Sequence, residues 1–481
     1  MNKLTFPHFI SDILARLQEA GFEAYVVGGS VRDWMLGATP KDWDITTNAK
    51  PEQIMKILPD SKYENTFGTV MVAIRNDTKE AEAVVEVTTY RSEQSYSDHR
   101  RPDSVVFEEK LENDLARRDF TINALAMAAD GTLVDLFGGE KDIQKKIIRT
   151  VGEPVDRFKE DALRMLRAVR FRAQLDFSIE PKTERGIQKC AGTIKFVANE
   201  RIRDELIHIL SSRHPADGIR KLQELKLLNY IIPELEEGIG MPQNHHHTHT
   251  VYDHNLLSLQ HCPNSEWQVR FASLLHDIGK ARTRKIINGG VTFYNHEIVG
   301  AKIVAKIVKR LRFSTVDSER IVNLVRNHMF YYNVDEVTAA SVRRLIRKVG
   351  EANLSDLIDL RVADRLGSGV AKAMPYKLRH LQYMMDKVRH DPVSVKMLKI
   401  NGNDLMTVLA VEPGPKIGMI LDVLLSEVIE DPTLNSKEYL SKRSQELNSL
   451  ELESLRQKAK EVISEKQIEE DDNLKKEFYV K

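Results

Sequence analysis

The chain has 481 residues, of which 30% are charged and 42% hydrophobic, and its formal net charge is zero. A prior of about 150 residues per domain predicts about three domains. No apolar run approaches the roughly 18 residues of a membrane-spanning helix, and the amino terminus does not fit a secretory signal, so we expect a cytoplasmic protein without a membrane partner. Cys190 and Cys262 are the two cysteines, which argues against a disulfide framework or a thiolate zinc site.

The amino-terminal third has the pattern of an α/β domain. Residues 22–48 read as strand, glycine turn, short helix and strand in AYVVGG, SVRDWML and DWDITT. Two further β-rich runs, GTVMVAI (68–74) and AVVEVTTYR (83–91), complete a small mixed β-sheet. The pattern predicts an α/β head over residues 1–150.

From about Asp156 onward the apolar spacing is almost wholly helical. A Pro, Gly and polar segment at 233–250 marks a boundary. We therefore predict an all-α neck (151–240), a histidine-rich helical domain (241–370) and a helical tail (371–481). The charged stretch from Glu453 is either a solvated helix or partly disordered, so the last part of the tail is expected to be flexible.

Two aspartates in the predicted second strand indicate a metal site. Side chains alternate along a strand, so Asp42 and Asp44 should point to the same side. Carboxylates that share a face repel one another unless a cation lies between them, and Mg²⁺ is commonly bound by one or two carboxylates and substrate phosphates. Upstream, Gly28 and Gly29 let the backbone approach a triphosphate, and Arg32 can hold a phosphate oxygen. A lone Asp-x-Asp would otherwise be an exposed acidic strand end.

Three blocks, GGSVRD…DWDI, ARRDFTINALAM (116–127) and EDALRMLRAVRF (160–171), resemble in order and spacing the signature blocks of the class II tRNA nucleotidyltransferase and bacterial poly(A) polymerase family. The resemblance implies nucleotidyl transfer, in which Asp42 and Asp44 hold Mg²⁺ at the α-phosphate while an RNA 3′-hydroxyl attacks. Glu86 is the candidate third carboxylate near that hydroxyl; the alternative is a solvent-facing strand residue.

Asp161 and Arg164, three apart on a predicted helix, can present an acceptor beside a donor. Cytosine and adenine each offer an amino donor beside a ring acceptor, whereas uracil and guanine offer the reverse pattern. The pair therefore predicts selection of C and A, which the resemblance also implies.

The resemblance assigns further nucleotide-binding positions. Arg118 matches a triphosphate contact, and Asp119 and Asn123 match ribose contacts, although Asp119 could also be a helix cap. Arg167 and Arg170 continue the spacing of three residues. Each such step turns about 60° around a helix, so we expect Arg170 to lie nearly opposite Asp161 despite the role that the resemblance gives it.

The histidine-rich region carries candidate ligands on five segments. Imidazole and carboxylate groups from several helices suit a divalent transition metal. The pattern resembles the HD phosphohydrolase domain: His254, His276, Asp277 and Asp364 match its four-residue core, and His296 and His328 match ligands of some members. The resemblance implies hydrolysis of a phosphomonoester or a 2′,3′-cyclic phosphate; the alternative is an inherited fold without useful activity.

Together with these patterns, the resemblance implies template-independent addition of CCA, from CTP and ATP, to the 3′ end of tRNA. The polar segment 90–102 resembles a loop of relatives that add the terminal A. Two alternatives within the class are a poly(A) polymerase and an A-adding enzyme. An alternative of another class is an HD phosphohydrolase whose head only binds RNA. The oligomeric state is not predicted.

Overall fold

The computed structural model describes residues 6–40, 42–63, 68–75, 81–94, 104–243, 249–288, 290–330, 333–334, 337–370, 372–389, 395–455, 471 and 475–480. Most of the loop compared with A-adding relatives, and most of the charged carboxyl-terminal stretch, lie outside these residues. The chain forms two compact units, Met1–His328 with Asp356–Val370, and Met329–Ser355 with Ala371–Lys481. The four-part division made from sequence stays a prediction.

The head carries most of the strands. Its elements are α1 (His8–Glu19), β1 (Ala24–Val27), α2 (Gly29–Met35), β2 (Asp44–Thr47), α3 (Pro51–Ile57), β3 (Ser61–Tyr63), β4 (Thr69–Arg75), β5 (Ala81–Thr89), β6 (Arg91–Gln94), β7 (Ser104–Phe107), α4 (Leu111–Ala116), β8 (Leu125–Met127), β9 (Leu133–Asp135), α5 (Gly139–Gln144) and β10 (Ile147–Ile148).

Seven of these strands form one mixed sheet in the order β3-β4-β5-β2-β1-β8-β9. Strand β2 is antiparallel to β1 and parallel to β5, which places Asp44 directly opposite Glu86. Helix α1 buries Ile10, Ile13, Leu14 and Leu17, whose helical spacing keeps them on one face. The predicted mixed sheet is confirmed, and it is wider than the four strands recognised from sequence.

The rest of the chain is mainly helical, as predicted. The neck contains α6 (Pro154–Glu160), α7 (Leu163–Leu175), β11 (Ser178–Ile179), α8 (Pro181–Cys190), α9 (Asn199–Leu210), α10 (Pro215–Glu224), α11 (Leu228–Ile231) and α12 (Pro233–Glu236). The histidine-rich region contains α13 (Val251–Gln260), α14 (Trp267–Leu275), α15 (Lys280–Thr283), β12 (Lys285–Ile287), β13 (Gly290–Thr292), α16 (His296–Arg310) and α17 (Thr315–Asn327). Two short strand pairs, β10 with β11 and β12 with β13, interrupt the predicted all-α character.

The remaining helices are α18 (Ala339–Val349), α19 (Leu354–Gly367), α20 (Tyr376–Arg389), α21 (Gly402–Leu409), α22 (Pro415–Glu430) and α23 (Lys437–Leu447). Helices α21 to α23 bury an apolar cluster of their own that includes Leu405, Leu424 and Leu440. No described helix has both the length and the apolar composition that crossing a bilayer requires.

Arginines of the histidine-rich region hold it against the neck. Arg270 donates from Nη1 to the carbonyls of Leu210 and Ser212 at the carboxyl end of α9, at 2.9 and 3.0 Å. Arg310 pairs with both oxygens of Glu234 at 2.8 Å. A cation at the carboxyl end of a helix satisfies carbonyls that lack partners within the helix. The neck therefore contacts both the head and the histidine-rich region.

Candidate functional site

A cavity of about 590 Å³ is lined by residues of both the head and the neck. Of the thirteen site residues predicted in these two regions, twelve line it: Gly28, Gly29, Arg32, Asp42, Asp44, Arg118, Asp119, Asn123, Asp161, Arg164, Arg167 and Arg170. The thirteenth, Glu86, is exposed and lies outside the lining. Arg117, Leu163, Phe171 and Arg201 also line the cavity and were missed in the sequence.

The glycine turn lets the backbone pass close to an arginine. Gly28 has a φ of 76°, in the left-handed region that favours glycine. A Cβ at this position would lie 2.8 Å from Nη1 of Arg118. Any larger residue would therefore both strain the turn and displace the guanidinium from the cavity wall.

The two candidate metal carboxylates reach the cavity by different routes. Strand β2 begins at Asp44, and Asp42 lies in the bend before it, so the prediction that both lie on one strand is wrong. Both side chains nevertheless line the same cavity. Burial raises the pKa of Asp44; Arg118 opposes this rise and Asp42 adds to it. Two carboxylates that disfavour each other's charge fit a divalent cation of the Mg²⁺ type.

Glu86 is placed by the β-ladder beside this pair. It is opposite Asp44 in parallel register. Residues in register on neighbouring strands project to the same face of a sheet, so Glu86 is on the same face as Asp44.

A chain of polar contacts crosses the cavity wall from head to neck. Arg32 donates from Nη1 to Oδ1 of Asn123 at 2.7 Å, and Nδ2 of Asn123 donates to Asp119 at 3.1 Å. Nε of Arg167 donates to Oδ2 of Asp119 at 2.7 Å. Burial opposes the charge of Asp119, but Arg167 and Asn123 outweigh it and lower the pKa of this carboxyl to about 2. The carboxylate is therefore ionised and fixed in orientation.

A second buried carboxylate, that of Asp114, forms ion pairs with the two arginines of the sequence RRD (117–119). Asp114 is fully buried, and its pKa is lowered although burial opposes its charge, because Arg117 and Arg118 lie beside it. Arg117 contacts it at 2.7 Å and Arg118 at 3.3 Å. Thr46, on the same strand as Asp44, donates to it at 3.3 Å. Asp114 was missed in the sequence because a lone acid three residues before two arginines also fits an ordinary helical ion pair.

The predicted base-reading pair does not lie on one helix. Helix α6 ends at Glu160, Asp161 is extended with φ −137° and ψ 105°, and α7 begins at Leu163. Arg164 donates to Glu160 and to the carbonyls of Arg157 and Arg117. Asp161 accepts from Leu163 N at 3.0 Å and from both Nη atoms of Arg201 at 3.3 and 2.8 Å. Each residue is thus held by its own partners.

The expectation that Arg170 points away from Asp161 is wrong for the same reason. The helix breaks between them, so the 60° steps cannot be counted from Asp161, and both side chains line the cavity. Arg170 pairs with the buried Glu205 at 3.1 Å. Burial raises the pKa of Glu205 and lowers that of Arg170. Arg201 and Glu205 both come from α9, whose sequence NERIRDELIHIL offered the repeated charges as a signal.

The six side chains predicted in the histidine-rich region do converge. Their ligand atoms form two groups, His254, His276 and Asp364, and Asp277, His296 and His328, each within 4.8 Å. Asp277 lies between the groups: Oδ2 is 3.3 Å from Nε2 of His254, and Oδ1 is 3.2 Å from Nε2 of His296. The geometry allows one carboxylate to bridge two cations.

The supporting contacts of this cluster also fit a metal. Nδ1 of His276, His296 and His328 lies 2.8 Å from the carbonyls of Ser273, Phe293 and Val325, respectively. A hydrogen bond at one ring nitrogen fixes the tautomer that offers the other nitrogen to a metal. Burial opposes ionisation of the two carboxyls, but neighbouring cationic groups hold the pKa of Asp277 and Asp364 well below the usual value.

Two further residues of this cluster were missed, and one of them, Arg361, donates from Nη1 to Oδ2 of Asp364 at 2.6 Å. The buried Lys280 places Nζ 2.5 Å from Oδ2 of Asp277 and 2.8 Å from Oε1 of Gln243. It follows the HDIG sequence directly and could have been found as a cation one helical turn from Asp277.

Family models match most of these parts of the chain. The model described as poly A polymerase head domain matches residues 24–149, the probable RNA and SrmB-binding site of polymerase A matches 176–239, and the HD domain matches 254–368. The fold and the two sites thus define a nucleotidyltransferase head followed by an RNA-binding region and an HD domain.

Curated relatives identify the family within this class of nucleotidyltransferases. The CCA-adding enzyme of Ligilactobacillus salivarius (strain UCC118) is 35% identical over 90% of this chain and 95% of the relative. The A-adding tRNA nucleotidyltransferase of Deinococcus radiodurans is 33% identical over 83% and 90%, respectively. The solved Bacillus stearothermophilus CCA-adding enzyme in complex with CTP is 26% identical, with a TM-score of 0.59 over 92% of this chain and 98% of that one. The chain belongs to the CCA-adding enzyme family of tRNA nucleotidyltransferases.

Proposed function

We propose that this protein adds C and A, from CTP and ATP, to the 3′ end of tRNA without a nucleic-acid template. The observation that supports this most is that Asp42 and Asp44 line the same cavity as Asp161 and Arg164. Carboxylates that can hold Mg²⁺ are thereby joined to an acceptor and a donor that can read a base. The named relatives support the same reaction. The proposal includes a cytoplasmic location, because tRNA is processed there.

Different residues of the cavity bind different parts of the nucleotide. Arg32, Arg118, Arg167 and Arg170 bind the triphosphate, because four fixed guanidinium groups match its charge and its oxygen geometry. Asp119 and Asn123 contact the ribose. Asp161 accepts a hydrogen bond from the amino group of cytosine or adenine, and Arg164 donates to the ring nitrogen beside it.

Mg²⁺ held by Asp42 and Asp44 would lower the pKa of the attacking hydroxyl and neutralise charge on the α-phosphate. In this proposal Glu86, which projects to the same face of the sheet as Asp44, accepts the proton of the RNA 3′-hydroxyl. The guanidinium groups orient the pyrophosphate for departure. Positioning and charge stabilisation carry most of the rate in such transfers.

The test uses two tRNA primers, one lacking the last three nucleotides and one ending in CC. Each is incubated with the full chain, Mg²⁺ and labelled CTP, ATP, UTP or GTP. We expect CCA on the first primer and one A on the second. Addition of A to the CC primer only would identify an A-adding enzyme, and long A tails would identify a poly(A) polymerase. No incorporation by either primer would refute the proposal.

We propose a second activity for the HD domain, the hydrolysis of phosphate esters at RNA ends by a centre that takes two divalent transition-metal ions. It is supported by the two ligand groups, because Asp277 belongs to one group and also lies 3.3 Å from His254 of the other. Such ions, when bound, would supply Lewis acidity toward the phosphate. Lys280 neutralises and orients Asp277, and the three supported histidines keep their ring orientation.

Metal content and hydrolysis test this second proposal together. The full chain, stripped and then equilibrated with Mn²⁺, Co²⁺ or Ni²⁺, should hold two ions tightly per chain, and His328→Ala should hold one. Hydrolysis of 2′,3′-cyclic AMP and of p-nitrophenyl phosphate should be lost in His276→Ala, while CCA addition persists. One ion in the unaltered chain would refute the two-ion centre, and absence of hydrolysis with every metal would refute the activity.

A further inference from the structure

Three arginines of the nucleotide cavity gather around one aromatic ring. The Cζ atoms of Arg32, Arg167 and Arg170 lie 5.0, 5.5 and 4.6 Å from the centroid of Phe171. These distances fall within the roughly 6 Å at which a guanidinium is attracted to the face of an aromatic ring. All four side chains line the cavity, and Phe171 is only 4% exposed.

This grouping has an electrostatic cost. Three like charges around one point repel one another in a region where little water screens them. Consistent with this, burial lowers the pKa of Arg170, and Arg167 and Arg32 lower it further against the opposing effect of Glu205. Something must favour the arrangement when no anion is bound.

Each of the three arginines has a different acidic partner. Arg32 pairs with Asp33, Arg167 with Asp119, and Arg170 with Glu205. Asn123 and Asp119 link Arg32 to Arg167 through hydrogen bonds, whereas Arg170 is held by its own pair with Glu205. The ring of Phe171 lies within 5.5 Å of the Cζ atoms of all three arginines, and its orientation is fixed by edge-to-face packing on Phe120, with the ring centroids 5.8 Å apart.

We propose that Phe171 is a positioning residue that uses the negative faces of its ring to hold Arg32, Arg167 and Arg170 together as a binding site for the triphosphate. The inference rests on the proposed function, in which these arginines bind the triphosphate. It assigns Phe171 a role through the arginines, since an aliphatic side chain of similar size would fill the same space without attracting a guanidinium.

Graded fluorination of the ring separates this role from packing. Mono-, di- and trifluorinated phenylalanine at position 171 progressively weaken the negative face while nearly preserving volume. We expect the KM for ATP and CTP, and the Ki for inorganic triphosphate as a competitive inhibitor, to rise stepwise to about tenfold with the trifluorinated ring. The KM for the tRNA primer should stay unchanged. Phe171→Leu should match the trifluorinated protein.

Phe158 provides the matched control, because it is fully buried in α6 and does not line the cavity. The same fluorination and Phe158→Leu should leave the nucleotide KM unchanged. Equal KM values across the Phe171 series, or a change for nucleotides without a change in the Ki of inorganic triphosphate, would overturn the proposal. If the unaltered chain incorporates no nucleotide, the proposed function fails instead.

Discussion

The nucleotide cavity and the HD centre differ in the ligands that they offer to a cation and in how closely those ligands are packed. In the cavity, an exposed Asp42 and a half-buried Asp44 offer oxygen ligands beside about 590 Å³ of open space. In the HD centre, four histidines and two aspartates are packed so closely that ligand atoms lie about 3 Å apart. Oxygen ligands with room for phosphate suit Mg²⁺, whereas buried imidazoles suit a transition metal.

The difference also concerns what each site binds besides a metal. The cavity walls carry seven arginines, Arg32, Arg117, Arg118, Arg164, Arg167, Arg170 and Arg201, on a chain of zero net charge. The binding of a polyanion is therefore a local property of this cavity. Two cations contact the carboxylates of the HD centre, and each is paired with one of them: Lys280 with Asp277 at 2.5 Å and Arg361 with Asp364 at 2.6 Å. In the proposed hydrolysis, the metal ions would therefore supply the charge that binds the phosphate.

The strongest test of this comparison is whether the two sites can be inactivated separately. Asp44→Asn should reduce kcat/KM for nucleotide addition by about 10³-fold, because one of the two proposed Mg²⁺ ligands is lost. Its transition-metal content should equal that of the unaltered chain. The matched control is Glu52→Gln, an exposed carboxylate on α3, which should retain full activity. A parallel loss of HD metal in Asp44→Asn would contradict independence of the sites.

Base selection is expected to give the next largest effect. Asp161→Ala removes the acceptor for the amino group, so discrimination of CTP over UTP should fall by about 10²-fold while the rate with CTP falls less. Incorporation of single nucleotides into the CC and truncated primers measures both quantities. Asp156→Ala, an exposed aspartate on the preceding helix, should leave discrimination intact. Unchanged discrimination in Asp161→Ala would mean that other groups read the base.

These same residues show how much of the candidate site could be predicted from the sequence. The convergence of Asp42 with Asp44 was predictable from their spacing of two residues, and that of the six HD ligands, which are spread over residues 254–364, from the resemblance to the HD domain. The break at Asp161 was not, since EDALRMLRAVRF keeps helical apolar spacing through it. Arg201 is forty positions beyond Asp161, so only the packing of α9 against α7 reveals the pair. Phe171 looked like one more apolar helix residue.

A smaller effect is expected in stability at Asp119. Its pKa of about 2 in the folded chain lies below the unfolded value of about 4, so its stabilisation is present above pH 4 and is lost as the pH falls toward 2. Asp119→Asn should therefore lower the free energy of unfolding by about 2 kcal/mol at pH 7. Urea unfolding of the full chain at pH values from 7 to 3 measures the difference. A difference that persists undiminished below pH 4 would show that the carboxylate charge is not its source.

The smallest expected effect concerns the side chain that holds Asp161. Arg201 presents two donors to this carboxylate, and both residues are partly exposed, so the pair is screened by solvent. Arg201→Met should lower discrimination of CTP over UTP by roughly tenfold, because Asp161 then keeps only its contact with Leu163 N. Arg201→Lys should recover little, since one ammonium cannot replace a two-pronged contact.

Arg203 supplies the control for this prediction. It is on the same helix but pairs with Asp204 and the carbonyl of Arg312, outside the cavity, so Arg203→Met should leave base selection unchanged. The opposite view is that Arg201 occupies the position of the amino group that Asp161 should receive and therefore competes with the nucleotide. In that case Arg201→Met would lower the KM for CTP and leave discrimination intact. The first view predicts lower discrimination of CTP over UTP, and the second predicts a lower KM for CTP with unchanged discrimination. Steady-state kinetics with CTP and UTP on one primer therefore distinguishes support of Asp161 from competition with the base.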